Sequence, residues 1–296
     1  MSQAILKLES LTKTYIIGKN KPAKKAMRAI HKLHKQCEIL EEKGEDLKKI
    51  EEKLEKAQKL FVQEKYLESF KVAADKELKI RKKQKGIVVH ALNDVDLEIK
   101  EGDLVAIVGP SGSGKSTLLN MLGLLDEPTA GYVYLRGKNI TNIRAGKLPE
   151  VRSKELGFVF QAFNLIPTLS ALENVMLPLK YAGVVRSERK KMAQEVLEKV
   201  GLSDRLHNTP NELSGGQKQR VAVARSLVNN PAIIFGDELT GELDSKTTKE
   251  VMDLIIELNN KGQTFIIVTH NPEVAKMCKK TITMRDGEIV GQETSS

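Results

Sequence analysis

The sequence predicts an α/β fold: a parallel core sheet with an antiparallel sheet, a helical subdomain and an inserted α-helical hairpin. Three observations predict it. A glycine-rich loop, Gly109-Pro110-Ser111-Gly112-Ser113-Gly114-Lys115-Ser116, joins an apolar run, Leu104 to Val108, to a helical pattern, Thr117 to Leu125. Downstream, short apolar runs alternate with segments of helical period, as in a sheet covered on both faces. Between residues 19 and 86 the pattern is wholly helical and strongly basic.

Residues 1–18 read as a first strand, with Ile5, Leu6 and Leu8 followed by Tyr15. Lys7 and Glu9 interrupt its apolar run, so it reads as a strand rather than a signal peptide. In the insertion, apolar residues recur at Ile30, Leu33, Cys37 and Leu40, and again at Leu47, Ile50, Leu54, Ala57 and Phe61. Spacings of three and four make a seam on each helix. Gly44 suits a helix C-cap, and Glu45 and Asp46 suit the next helix start. A third helical stretch, Tyr66 to Ile80, leads into the basic run Arg81 to Lys85. Residues 87–99 read as two strands.

After the glycine-rich loop, Gly157 to Gln161 is a strand. Leu169 to Tyr181, Ser187 to Val200 and Ser214 to Asn229 are helices of a subdomain over 162–230. Ile233 to Asp237 and Thr264 to Val268 are buried strands separated by a helix, Lys246 to Asn260. Thr281 to Met284 and Glu288 to Val290 flank Asp286-Gly287, a hairpin signal. The expected organisation is one body, 1–18 plus 87–296, with 19–86 inserted.

Charge separates these parts. The chain of 296 residues carries a net +9. Residues 19–86 hold 21 Lys and Arg against 12 Asp and Glu, and the rest holds 27 of each. The whole imbalance therefore belongs to the insertion. No apolar run is long enough to cross a bilayer, because a charged residue interrupts every candidate. Cys37 and Cys278 fall in different segments and form no ligand pattern, so both read as reduced thiols.

A strand, a glycine-rich loop and a helix start make an anion site. Backbone N–H groups of residues 109–116 can wrap phosphate oxygens, Lys115 can reach the β- and γ-phosphates, and the Ser116 hydroxyl can ligate Mg²⁺. Asp237 ends an apolar strand where it can hold Mg²⁺ through water. Glu238 follows it and suits a general base or water-orienting group.

The segment Leu213-Ser214-Gly215-Gly216-Gln217 names a family. With the phosphate loop, Gln161 after a strand, Ile233 to Glu238, Leu243-Asp244 and His270 in that order, the chain resembles the ATP-binding cassette (ABC) ATPases. Phrases such as Gly157-Phe158-Val159-Phe160-Gln161 and Leu172-Glu173-Asn174-Val175 are similar to the lipoprotein-release, macrolide-export and cell-division subgroup. The resemblance covers residues 1–18 and about 87 onward. It implies ATP and Mg²⁺ as ligands, with Thr117 continuing the phosphate site and Tyr15 stacking on adenine. It also implies that Gln161 serves the metal and the attacking water, and that His270 contacts the γ-phosphate. Ser214, Gly215, Gly216 and Gln217 would grip the γ-phosphate held by another subunit, with Asp244 at that seam. One loop and one signature per chain imply a head-to-tail homodimer or paired ATPase.

The resemblance implies an energy-coupling ATPase that drives a separate membrane permease from the cytoplasmic face, with Ala162 to Pro167 fitting the permease groove. A soluble ATPase acting on ribosomes or DNA is the alternative. Against it, such proteins carry two cassettes or place a coiled coil between phosphate loop and signature. The insertion reads as a solvated hairpin, a docking arm for a partner helix, or a lysine-rich surface for anionic lipid. Its sparse aromatics make base stacking a poor reading. The family usually has proline where this chain has Leu239, and hydrolysis is expected to survive that change.

Overall fold

The structure is a computed structural model that describes residues 4–18, 21–43, 48–63, 65–74, 86–141, 143 and 146–294. Strands β1 (Ala4–Gly18) and β2 (Gly86–Lys100) flank helices α1 (Lys21–Lys43), α2 (Lys48–Val62) and α3 (Tyr66–Ala74). Strand β3 (Leu104–Val108) leads through the glycine-rich loop into α4 (Lys115–Leu122). Then come β4 (Ala130–Leu135), β5 (Lys138–Asn139), α5 (Leu148–Glu155) and β6 (Leu156–Phe160). Helices α6 (Ala171–Tyr181), α7 (Arg186–Lys199) and α8 (Gly215–Leu227) precede β7 (Ile233–Asp237). The described chain ends with α9 (Ser245–Asn260), β8 (Thr264–Val268), α10 (Pro272–Lys276), β9 (Lys280–Arg285) and β10 (Glu288–Thr294).

Side-chain alternation explains the layers. The central sheet runs β10-β9-β3-β8-β7-β6, parallel except for β10. Leu104, Ala106, Ile234, Phe265 and Ile267 face one core, under the helices of the signature subdomain and α9. Their neighbours Val105, Ile107, Ile233, Phe235 and Ile266 face the other, with α4 and the antiparallel sheet β2-β1-β4-β5. Strands buried on both faces need no polar alternation, which is why they read as continuous apolar runs.

The insertion emerges from the tip of the β1–β2 ribbon, where Gly18 pairs with Gly86. Its described residues form a small core of their own: Ala23, Ala26, Ile30, Leu33 and Cys37 from α1, Leu54, Ala57 and Phe61 from α2, and Ala73 from α3. Ser69 donates to the Ala57 carbonyl at 2.7 Å and ties α3 to α2. Ile16 of β1 packs against this core and joins it to the ribbon. The cap expected at Gly44, the helix start at Glu45 and Asp46, and the helical pattern beyond Ala74 lie outside the described residues.

One expectation is corrected. Residues 87–99 are not two strands but one, β2, which pairs with β1 from Ala4–Lys100 to Gly18–Gly86. The polar Asn93-Asp94 is an irregularity within the strand. Asp94 takes φ 50°, and the Asn93 N–H donates to the Gly287 carbonyl. Such a bulge bends a strand without ending it. No helix among the described residues is long and apolar enough to cross a membrane.

Candidate functional site

Strand register assembles the site. Ile107 of β3 is level with Val268 of β8, Val268 with Asp237 of β7, and Asp237 with Phe160 of β6. The residues that follow each strand therefore emerge at one edge: the phosphate loop, Thr269-His270, Glu238 and Gln161. Ligands of open α/β sheets bind at this carboxyl edge.

The phosphate loop fits its place tightly. A side chain at Gly109 would bring a Cβ to 2.3 Å from the Met284 carbonyl, so the loop can pass β9 only as glycine. Lys115 lies across the loop and donates to the Gly109 and Pro110 carbonyls at 2.8 and 2.9 Å. Ser116 and Thr117 open α4 beside it.

Asp237 is half-buried. Its carboxyl is pushed above the ordinary carboxylate range by burial and then by the neighbouring Glu238 charge, with Lys115 pulling the other way. Glu238 adopts φ 46°, an uncommon backbone state for a non-glycine residue that turns the chain sharply after β7. Its N–H donates to the Val268 carbonyl at 2.9 Å, and its Oε1 lies 2.8 Å from His270 Nδ1. A cavity of about 170 Å³ opens there, lined by Glu238, Gly241, Ser245, Thr269 and His270 among others. The Gln161 amide lies against Gly241, where an added Cβ would stand 2.8 Å from Nε2. Gln161, Glu238 and His270 thus meet around one turn.

Tyr15 belongs to a cluster the sequence did not reveal. Its hydroxyl donates to Asp126 Oδ2 at 3.0 Å and also interacts with Thr117, at the phosphate loop. Lys13, on the same face of β1, sits 5.0 Å over the Tyr15 ring and 2.8 Å from Asp126 Oδ1. Lys13 and Asp126 are far apart in the chain, so only the paired sheet brings them together. A larger cavity, about 760 Å³, lies between α1 and the segment after α4, with Asp126 in its wall and no phosphate-loop residue.

The signature starts α8 with a capping box. Ser214 Oγ accepts from the Gln217 N–H at 3.3 Å, and Gln217 Oε1 accepts from the Ser214 N–H at 2.9 Å. Two orphan donors of the helix start are thereby satisfied. Gly216 is buried against α9, and a Cβ there would lie 2.4 Å from Thr247 Cγ2. Asp244 caps α9 by accepting from the Thr247 N–H and hydroxyl, at 2.9 and 2.7 Å, which holds its carboxyl below the usual range. The cavity of about 340 Å³ at the signature contains Ser214, Gly216, Gln217 and Thr247, and no residue of the phosphate loop lines it.

A phosphate loop, a carboxylate pair at the same sheet edge and a second glycine-rich helix start define a nucleoside-triphosphate hydrolase of the cassette type. Comparison with known proteins gives the family. Residues 92–241 match the ABC transporter family model. An uncharacterized ABC transporter ATP-binding protein of Thermotoga maritima is 52% identical over 207 residues, 70% of this chain and 88% of that protein. The macrolide export ATP-binding/permease protein MacB of Bdellovibrio bacteriovorus is 51% identical over 69% of this chain, which spans 31% of that protein. The cassette MJ0796 of Methanocaldococcus jannaschii, solved as a dimer in a post-hydrolysis state with ADP and Pi, superposes with a TM-score of 0.68. That match is at 37% identity and covers 98% of both chains. The chain belongs to the ABC transporter family, as an ATP-binding ATPase subunit.

Proposed function

We propose that two copies of this chain close head to tail over two ATP molecules and pass that motion to a membrane permease carried on another chain. The carrying observation is the division of the site. One cavity holds Glu238 and His270 at the sheet edge, and a separate one holds Ser214 and Gln217 at the α8 start. A helix start with free N–H groups attracts phosphate, so the second surface suits the γ-phosphate bound by a partner's loop. The dimeric MJ0796 structure and the permease portion in the MacB name support this reading.

In each site, Gly109 to Thr117 cradle the phosphates and Tyr15 supports the adenine ring. The donor set fits Mg²⁺: a hydroxyl at Ser116, the Asp237 carboxylate and the Gln161 amide oxygen are hard ligands. Asp237 sits half-buried beside a second carboxylate, an electrostatic setting that a divalent cation relieves. Mg²⁺, when bound, supplies positive charge at the β- and γ-phosphate oxygens. Glu238 orients water and accepts its proton, and His270 holds the Glu238 carboxylate through the 2.8 Å contact while facing the γ-phosphate. Asp244 lies at the subunit seam.

The loop after Gln161 suits a permease contact. Arg225 of α8 donates to the Phe163 carbonyl at 2.8 Å and to the Asn164 carbonyl at 2.5 Å, fixing two residues of positive φ. Buried Asn174 accepts from the Ile166 N–H at 2.8 Å. Ile166 remains exposed on this braced loop. The chain would then work peripherally on the cytoplasmic membrane face, and the inserted helices would add a contact to anionic lipid or protein. Glu238→Gln should trap the ATP-bound dimer, and a polytopic permease should co-purify with it from detergent-solubilised cells. Recovery of ribosomal or nucleic-acid material with no membrane protein would sink this reading.

A further inference from the structure

We infer that α1 carries an electrostatic docking surface for anionic phospholipid membrane. The observation is a stripe of cations that have no ion pair among the described residues. Lys24, Lys25, Arg28, Lys32 and Lys35 are exposed, and His31 is exposed among them. At about 100° per residue they occupy about a third of the helix circumference and run about 16 Å along it. The stripe lies opposite Ala26, Ile30, Leu33 and Cys37, the residues that α1 buries in the inserted core. No acidic residue occurs between Glu9 and Glu38. Among the described residues, none of the five cations has an ion pair, whereas cations elsewhere, such as Lys154 and Lys261, pair with a glutamate one turn away.

The chemistry of the stripe selects its partner. A protein interface needs apolar or aromatic anchors in desolvated pockets. Here Ile39, at the far end, is the one exposed apolar side chain described on this face of α1, and with His31 and Lys35 it borders the cavity toward the segment after α4, so the stripe itself offers no apolar anchor to a partner. Nucleic-acid surfaces favour arginine forks and stacking aromatics. This stripe holds four lysines to one arginine and no aromatic ring. Lysines are hydrated point charges that suit a diffuse anionic surface, which lipid headgroups provide. The helix does not insert, because its apolar face is already spent on Leu54, Ala57 and Phe61 of α2. Binding is therefore peripheral and screened by salt.

The choice of a membrane over other polyanions draws on the permease reading, but the stripe can be tested without any permease. The full chain is floated with vesicles of phosphatidylcholine, with and without phosphatidylglycerol, at low and high salt. Retention on the anionic vesicles alone, lost at high salt, is the expected result. A variant carrying K24Q, K25Q, R28Q, K32Q and K35Q should bind those vesicles more than about a hundredfold more weakly. Its ATPase rate should stay within about twofold, which also reports that it folds. K190Q with K191Q, on exposed α7, is the charge control and should bind like the parent. The inference is overturned if the fivefold variant binds like the parent or if binding resists high salt. Capture of the chain by RNA or an acidic polypeptide, with none on vesicles, overturns it too. Vesicle binding without permease co-purification would leave this inference standing while the proposed function fails.

Discussion

Lys13 is a strand lysine whose ammonium has left water. Its side chain is 10% exposed, and it donates to the Glu127 carbonyl at 2.6 Å while pairing with Asp126 and covering one face of Tyr15. With one face taken, the proposed adenine contact would use the other, and the Asp126 bond fixes the ring's tilt. Lys13→Met should therefore raise the KM for ATP about three- to tenfold, the span of one cation–π contact, with kcat within about twofold. If Tyr15→Ala raises KM and Lys13→Met does not, Lys13 does not hold the ring. The phosphate loop and the Asp237-Glu238 pair were legible in the sequence because glycine spacing and apolar runs mark them locally. The Lys13–Asp126–Tyr15 cluster was not, because Asp126, in the segment after α4, lies far along the chain from Lys13 and Tyr15 of β1. Asp237 carries a second residue-scale consequence. Its raised pKa means that the folded chain takes up its proton before the unfolded chain does. The ionised group thus costs stability at neutral pH, and that cost fades as pH falls through the raised value. Asp237→Asn should abolish ATP turnover yet raise Tm by about 1–3 °C at pH 7, with the gain shrinking on acidification. Scanning fluorimetry across pH checks this, and a lower Tm at pH 7 would contradict it.

At the scale of elements, β7 and α8 are locked through Leu239. Its side chain is 3% exposed and fills the space above Gly236, where an added Cβ would lie 2.3 Å from Leu239 Cδ2. Its carbonyl accepts from the buried Gln219 amide of α8 at 2.6 Å. Leu239 is therefore a packing residue between the turn after β7 and α8. Leu239→Ala should destabilise the chain by about 2–4 kcal/mol while leaving turnover per folded molecule within about threefold. Urea melts and ATPase assays on the same samples separate the two effects, and a stability change under about 0.5 kcal/mol would show that the site does not depend on this packing. The buried strands β3, β7 and β8 were legible because continuous apolar runs signal strands covered on both faces. Strands β4 and β5 and helix α5 were not: β5 is two residues long, and α5 buries no side chain. The break expected inside β2 failed for a related reason. Asn93-Asp94 has turn composition, but β1 and β10 supply the hydrogen bonds that carry the strand through a bulge.

At the scale of the whole molecule, the ribbon makes the insertion separable. Gly18 and Gly86 are paired residues of β1 and β2, so the chain ends left by removing the inserted helices already lie a strand spacing apart. A two-residue Asn-Gly turn closes such a ribbon without strain. The inserted core meets the ATPase body at Ile16, which points to the opposite face from Tyr15, and at β4, against which α2 packs. Ile17 and Ile87, on the Tyr15 face, are already 56% and 66% exposed and lose no cover. The two faces of one strand thus serve two tasks, with Tyr15 toward Asp126 and Thr117 at the phosphate loop and Ile16 toward the inserted helices. Replacing residues 19–85 by Asn-Gly should keep ATP affinity within about threefold and lower Tm by a few degrees, for the cover lost from Ile16 and from β4. Isothermal titration of ATP against both chains decides it. A drop in affinity above about tenfold, in a deletion chain that still melts cooperatively, would mean that the inserted helices hold Tyr15 in place and regulate nucleotide binding directly. Retained affinity would leave them free to act on a partner outside the ATPase.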